Sequence, residues 1–123
     1  MSGSRAFTCF LDDIRTAATK AQAFVSGMSY DAFAADEKTA FAVVRALEII
    51  GEATKRIPQS VRDLNPEIAW RSMAGIRDKL IHDYTSVNME IVWKTVSEDL
   101  PALVPQIEQV IRLVSTGADS CER

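Results

Sequence analysis

The stretch from Arg77 to Tyr84, Arg-Asp-Lys-Leu-Ile-His-Asp-Tyr, carries the densest set of reactive side chains in the sequence. His82 is the single histidine of the 123-residue chain. An imidazole titrates near neutral pH and can act as acid or base. A guanidinium stays protonated and presents a planar fork of donors that matches phosphate oxygens. Arg77 and His82 are therefore candidates for acid–base chemistry beside a bound anion.

The same residues also have purely structural interpretations. A single histidine at a helix C-terminus commonly only interacts with the last carbonyls, and a helix arginine usually packs its stem and solvates its head. Tyr84 could be an aromatic at the edge of the core. On an ideal helix Arg77 and His82 point about 140° apart. They converge on one cleft only if the helix ends near His82 or if a partner chain contributes.

Helical periodicity predicts the elements that position these residues. Apolar residues from Phe7 to Val25 recur at spacings of four and three, and Gly27 ends this first helix. A second helix begins near Asp36 and ends before Pro58. Gly51 lies inside it, where glycine costs about 1 kcal/mol relative to alanine, so we expect another helix to approach closely or the helix to bend.

In the second half of the chain, Asn65-Pro66-Glu67 has the residue types of a helix start and predicts a helix to about His82. Asn88 is expected to cap a further helix. Pro101 and Pro105 should break or kink the chain before a last helical stretch, residues 107–114. No β-hairpin signal is present, and Trp70 and Trp93 are expected in the core. The prediction is a single all-α domain, residues 1–123: an antiparallel bundle of four to five helices with a frayed tail at 116–123.

Composition excludes several classes of protein. No segment approaches the roughly 18 apolar residues of a membrane span, and no signal peptide is recognisable, so a cytoplasmic location is expected. Cys9 and Cys121 lack metal-site spacing and are interpreted as reduced thiols. Neither a metal nor another cofactor is expected. A net charge of −3 argues against an all-over basic surface for nucleic acid, but allows a local patch among these residues in mid-chain: Lys55, Arg56, Arg62, Arg71, Arg77 and Lys79.

Arg77, His82 and Tyr84 together fill an Arg-x-x-x-x-His-x-Tyr pattern that resembles the motif of the HepT toxins. These are HEPN-domain proteins paired with a minimal nucleotidyltransferase (MNT) antitoxin called MntA. The resemblance extends from Leu11 to about Leu103. Its further landmarks, in the expected order, are Ala-Leu-Glu-Ile-Ile-Gly-Glu-Ala at 46–53, Asn-Pro-Glu-Ile-Ala-Trp at 65–70, Gly-Ile-Arg-Asp at 75–78 and Val-Trp at 92–93.

The resemblance implies a HEPN-like homodimer with metal-independent endoribonuclease activity, in which Arg77 and His82 are catalytic and line a cleft at the dimer interface. It implies that the chain is the toxin of a type VII HEPN/MNT toxin–antitoxin system. Tyr84 would be the residue to which the antitoxin transfers AMP. Asp78 follows the motif arginine and is a supporting residue; it or Asp83 could orient the histidine ring. The implied partners are a second copy, an MntA-like nucleotidyltransferase and RNA, with tRNA as a candidate, but neither DNA nor a membrane.

The reaction needs both an acid and a base, but each chain has only one histidine. Two copies of His82 across the twofold axis of a dimer would supply both groups. AMP on Tyr84 would exclude RNA by bulk and by charge repulsion. Two other interpretations stay open. The chain could be a non-catalytic helical module that docks a nucleotidyltransferase and presents its substrate, or a structural dimer.

Overall fold

The computed structural model describes residues 6–83 and 86–114, with the backbone alone for residues 81–83 and 86. Within these residues the chain is a helical bundle with one short hairpin, which confirms the all-α prediction. The predicted tail, residues 116–123, lies outside the described residues. The elements in chain order are α1 (Phe7–Phe24), α2 (Tyr30–Ala35), α3 (Glu37–Lys55), α4 (Gln59–Leu64), α5 (Trp70–Ala74), α6 (Ile76–Leu80), β1 (Ile81–Asp83), β2 (Ser86–Val87), α7 (Met89–Lys94), a π-helical turn (Thr95–Asp99) and α8 (Leu100–Val114).

The core lies where α1 packs against α3 and α8, and α3 in turn contacts α5 and α6. The apolar stripes predicted for the first two helices face this core, as expected from their spacing. Phe33, on the short helix α2, is fully buried and its ring centroid lies 5.3 Å from that of Trp93. The fully buried aliphatic side chains include Leu11, Ile14, Val43, Leu47, Ile50, Val92, Ile107 and Val110.

Helix α3 begins where the sequence predicts, because Asp36 caps it. The Asp36 carboxylate accepts hydrogen bonds from the backbone N–H of Thr39 (3.1 Å) and from the Thr39 hydroxyl (2.8 Å). These bonds favour the charged form and lower the pKa of Asp36 below its ordinary value. The close approach predicted at Gly51 is also present. A Cβ atom there would lie 3.1 Å from Ile76 Cγ2 and 3.3 Å from the Met73 carbonyl oxygen.

The helix predicted from Asn65 to about His82 ends close to the predicted residue, at Leu80, but its start is wrong and it is divided at Gly75. Helix α4 precedes Asn65, and the buried Asn65 side chain donates backwards to the Val61 carbonyl (2.9 Å) instead of capping a following helix. The Asn65 carbonyl accepts a hydrogen bond from Trp70 Nε1 (3.0 Å). Because Asn65 closes α4, the next helix begins only at Trp70, and Gly75 separates α5 from α6.

A small hairpin follows α6, although the sequence contains no recognisable hairpin signal. Helix α6 ends at Leu80, and β1 pairs antiparallel with β2 through Ile81 with Val87 and Asp83 with Ser86. The backbone N–H of Asn88 donates to the Leu80 carbonyl (2.8 Å) and closes the base of the hairpin. The expectation of a chain without a β-hairpin is therefore wrong for this segment.

Of the break or kink expected at the two prolines, the break is wrong, since α7, the π turn and α8 form one uninterrupted helical run. Asn88 caps this run as predicted, with its side chain accepting from the Ile91 N–H (3.1 Å). The backbone N–H of Leu100 bonds to the Thr95 carbonyl, five residues back. The hydrogen-bond register thus changes immediately before Pro101, which lacks an N–H. Pro105 lies inside α8.

Cys9 is disulfide-bonded, so the expectation of a reduced thiol is wrong for this residue. That expectation rested on sequence spacing, which does not determine whether two thiols meet in space. None of the helices in residues 6–83 and 86–114 is long and apolar enough to cross a membrane.

Candidate active site

Arg77 lies on a short helix that is fixed to the core by its neighbours. Ile76 and Leu80, on either side of it in α6, are 7% and 1% exposed. The Arg77 side chain itself is 67% exposed. The backbone of this residue is therefore held by buried packing while its guanidinium stays accessible to a ligand from solvent.

Glu48, on α3, is the side chain that faces Arg77 across the helix contact. Its Oε2 lies 3.8 Å from Arg77 Nε, and its Oε1 lies 3.5 Å from Nη1 of Arg45, one turn earlier on α3. Glu48 is only 28% exposed, whereas Arg45 is 71% exposed. Both distances exceed the usual length of a charge-assisted hydrogen bond, so these are loose ion pairs. One carboxylate thus lies between two exposed guanidiniums.

Gly51 explains why Glu48 can reach α6. It lies one turn after Glu48 on α3, and the missing side chain lets Met73 and Ile76 approach the α3 backbone closely. Because α6 packs at this point, Arg77 comes within ion-pair distance of Glu48. Sequence reasoning identified the close approach at Gly51 but missed Glu48 and Arg45. The available signal was their position on the same helix immediately before that glycine.

The backbone of His82 lies in β1, two residues after α6 ends. Its side chain and that of Asp83 lie outside the described part of the chain, and so does all of Tyr84. The catalytic pairing of Arg77 with His82 and the modification of Tyr84 therefore stay predictions. The structure does meet one stated condition for convergence, because the helix ends close to His82.

Asp78, the predicted supporting residue, is exposed on α6 directly after Arg77. Its backbone N–H donates to the Gly75 carbonyl (3.1 Å) and contributes to the start of the helix. Orientation of the histidine ring by its carboxylate depends on the His82 side chain, so this role also stays a prediction.

A shallow groove between α1 and α3 begins beside Glu48 and has a volume of about 230 Å³. It contains both signs of charge, with Arg45 and Arg56 opposed by three carboxylates. The Arg56 guanidinium lies over the ring of Phe10, 5.9 Å from its centroid. The groove is lined by Phe10, Asp13, Arg45, Glu48, Ile49, Glu52, Ala53 and Arg56.

Comparison of the chain with known proteins identifies related ribonucleases. The model of the family described as "Ribonuclease HepT-like" matches residues 14–110. A "Probable ribonuclease HepT" of Thermococcus cleftensis is 48% identical over 101 residues, which cover 82% of this chain and 92% of the relative. A putative RNase of Methanocaldococcus jannaschii is 43% identical over 89 residues, which cover 72% and 74% of the two chains.

The chain belongs to the HepT-like ribonuclease family. The stretch matched to the HepT-like model includes Glu48, Arg77, His82 and Tyr84. Family membership agrees with the helical bundle, supports the HEPN-like fold class, and supports a nuclease activity. A further relative, a putative RNase of Caldanaerobacter subterraneus, is 41% identical over 88 residues, covering 72% of this chain and 79% of the relative. No solved structure matches the chain.

Proposed function

We propose that this chain is the toxin of a HEPN/MNT toxin–antitoxin system and that it cleaves RNA in the cytoplasm, with tRNA as the first candidate substrate. The observation that supports this most strongly is the position of Arg77. It is an exposed guanidinium on a core-anchored helix that leads directly into the strand containing the chain's one histidine. Membership of a ribonuclease family makes a phosphodiester the natural ligand for that guanidinium.

The reaction needs no metal ion. The ribose 2′-hydroxyl attacks the adjacent phosphorus, a base removes the hydroxyl proton, and an acid protonates the 5′-oxygen as its bond to phosphorus breaks. The products are a 2′,3′-cyclic phosphate and a 5′-hydroxyl. Arg77 stabilises the negative charge that builds up on the phosphoryl oxygens.

The active form in this proposal is a homodimer. A single imidazole cannot be base and acid at the two ends of the scissile bond in the same step. Two copies of His82 at a shared cleft provide both groups, one from each protomer.

An MntA-like nucleotidyltransferase neutralises the toxin. The Tyr84 hydroxyl attacks the α-phosphorus of ATP, loses its proton, and releases pyrophosphate, which leaves AMP esterified to the tyrosine. Tyr84 lies two residues from His82 in the sequence, so the added nucleotide puts bulk and negative charge beside the cleft. RNA is excluded once the modification is made, and the antitoxin need not stay bound.

The first experiment is cleavage of purified tRNA by the unmodified protein in the presence of EDTA. We expect Arg77→Ala to reduce cleavage by about 100-fold to 1000-fold, the usual effect of removing a donor that stabilises transition-state charge. His82→Ala should abolish cleavage. Arg112, an exposed arginine on α8, supplies the matched control Arg112→Ala. Circular dichroism checks that each variant keeps its helices. Full activity in Arg77→Ala or His82→Ala contradicts the mechanism.

The second experiment concerns the antitoxin. Co-expression with a competent nucleotidyltransferase should add AMP to the wild type but not to Tyr84→Phe, as measured by intact mass and peptide mapping. Modified protein should lose tRNA cleavage. If Tyr84 stays unmodified with a competent nucleotidyltransferase and ATP, the chain is better described as a docking module.

A further inference from the structure

The two loose ion pairs at Glu48 point to a larger substrate site than the motif residues define. We propose that Arg45 is a second residue that contacts RNA phosphates, and that Glu48 is the positioning residue for both Arg45 and Arg77. This inference rests on the proposed ribonuclease function. It extends the site from α6 onto the exposed side of α3.

The long distances from Glu48 to Arg45 and Arg77 mean that both arginines can readily leave this carboxylate for an RNA phosphate. Arg45 Nη1 and Arg77 Nε approach different oxygens of one carboxylate, at 3.5 Å and 3.8 Å. Exposed ion pairs of this length contribute little stability, because the Coulombic gain is screened by water and offset by lost side-chain entropy. A phosphodiester, like a carboxylate, has two oxygens that share one negative charge, and it reaches the arginines more freely from solvent than Glu48 does. RNA can therefore replace the carboxylate at both guanidiniums.

Other basic side chains in the middle of the chain have different partners. Arg62 donates to the carbonyls of Thr54 (2.7 Å) and Ile57 (3.2 Å) and thereby closes the end of α3. Lys79 donates to the Ser72 hydroxyl (2.9 Å). Arg45 differs from both because its partner is the carboxylate that also binds Arg77. An RNA strand bound at Arg77 would thus continue across α3 towards Arg45.

The role of Glu48 follows from its lower exposure. Its carboxylate is largely covered at the contact of α3 with α6, so it restricts where the two flexible arginines reach in the free protein. Positioning of this kind keeps the Arg77 guanidinium near one orientation, which favours turnover once RNA is bound. The same negative charge competes with the incoming phosphate. Removing it should therefore change binding and turnover in opposite senses.

Binding is tested with fluorescein-labelled tRNA in the His82→Ala background, where cleavage does not interfere. Adding Arg45→Ala should weaken binding about tenfold, the loss expected for one charge-assisted contact. It should also lower the slope of log Kd against log salt by about 0.7 to 0.9, the value for one phosphate contact. Arg45→Lys, which keeps the positive charge, should have the same slope as the protein with Arg45. The control is Arg112→Ala, which should change neither quantity.

Turnover is tested with Glu48→Gln in the otherwise wild-type protein. This change keeps the shape of the side chain and removes its charge. We expect a lower KM for tRNA, because the competing anion is gone, together with a lower kcat, because Arg77 is less restricted. A merely structural role for Glu48 would change thermal stability without this split between KM and kcat.

The outcomes separate the inference from the proposed function. If the wild type cleaves tRNA and Arg45→Ala binds like Arg112→Ala, the Arg45 assignment is wrong while the ribonuclease stands. If tRNA binds without being cleaved and Arg45→Ala weakens that binding, the ribonuclease is wrong and the Arg45 contact stands. Absence of both binding and cleavage in the wild type overturns both. Unchanged KM and kcat in Glu48→Gln overturn the positioning role.

Discussion

Replacing Gly51 with alanine tests the contact by which α3 positions α6. The new Cβ would lie 3.1 Å from Ile76 Cγ2 and 3.3 Å from the Met73 carbonyl oxygen. Both distances are shorter than ordinary van der Waals contact, so the Ile76 side chain and the Met73 backbone would have to give by a few tenths of an ångström. Alanine in place of glycine stabilises a helix by about 1 kcal/mol, whereas overpacking a core costs about 1–3 kcal/mol. We expect the free energy of unfolding to fall by about 1 kcal/mol.

Urea unfolding followed by circular dichroism measures this change, and Ile76→Ala supplies the control. Alone, Ile76→Ala should lower the free energy of unfolding by about 2–4 kcal/mol, because it leaves a cavity in the core. In the double variant the methyl group at residue 51 has lost its closest neighbour, so the cost of Gly51→Ala should shrink or become a gain. Stabilisation of the protein by about 1 kcal/mol in Gly51→Ala alone, the value expected from helix propensity without a neighbour, would contradict the close contact.

Three further predictions concern local structure. Asn65→Ala should lower the free energy of unfolding by about 1–3 kcal/mol, because it leaves the buried end of α4 without the bond to the Val61 carbonyl; urea unfolding measures it. Asn88→Ala should cost about 1 kcal/mol in the same assay, and Asn88→Asp should cost little, because both asparagine and aspartate cap helices. For Asp36, a lowered pKa in the folded protein means that its charged form stabilises the fold above the unfolded pKa, and that this contribution is lost as the pH falls through the folded value. The thermal midpoint of wild type relative to Asp36→Asn should therefore decline on acidification; a constant difference from neutral pH to below 3.8 would contradict the assignment.

The helices that sequence reasoning placed well are those with strong local signals. The apolar spacing of α1 and the side-chain caps of α3 and α7 are determined by residues within one or two turns of each other. Helix α1 ends at Phe24 with Val25 as its C-cap, three residues before the predicted stop at Gly27, which adopts a positive φ of 79° in the turn that follows. These features depend little on the rest of the fold.

The errors arose where a residue had two local possibilities and packing selected between them. Asn65 can cap a following helix or bond back to a preceding one, and burial of Trp70 against its carbonyl accompanies the second arrangement. Pro101 and Pro105 would interrupt a regular α-helix. Pro101 follows a π turn that changes the hydrogen-bond register, and nothing in the local sequence specifies that turn, whereas Pro105 lies inside α8 itself.

The candidate site was predictable only in the part that lies within one short stretch of sequence. Arg77 and His82 belong to one short motif, so the sequence brings them to attention together. Glu48 and Arg45 are remote in sequence from that motif and reach it only through the contact of α3 with α6. Gly51 indicated that such a contact exists but did not identify which polar side chains it would bring together.

The hairpin removes the fixed helical angle between Arg77 and His82. On one continuous helix, rotation alone would turn Arg77 and His82 about 140° apart. Helix α6 ends at Leu80, however, and the chain returns at Asn88, whose N–H bonds to the Leu80 carbonyl. Leu80 and Val92 are almost completely buried, so both ends of the hairpin are anchored in the core. The backbone of His82 is therefore placed by closure of a short loop between two fixed helices. In the proposed mechanism, loosening that closure reduces tRNA cleavage even when no residue that touches RNA has been changed.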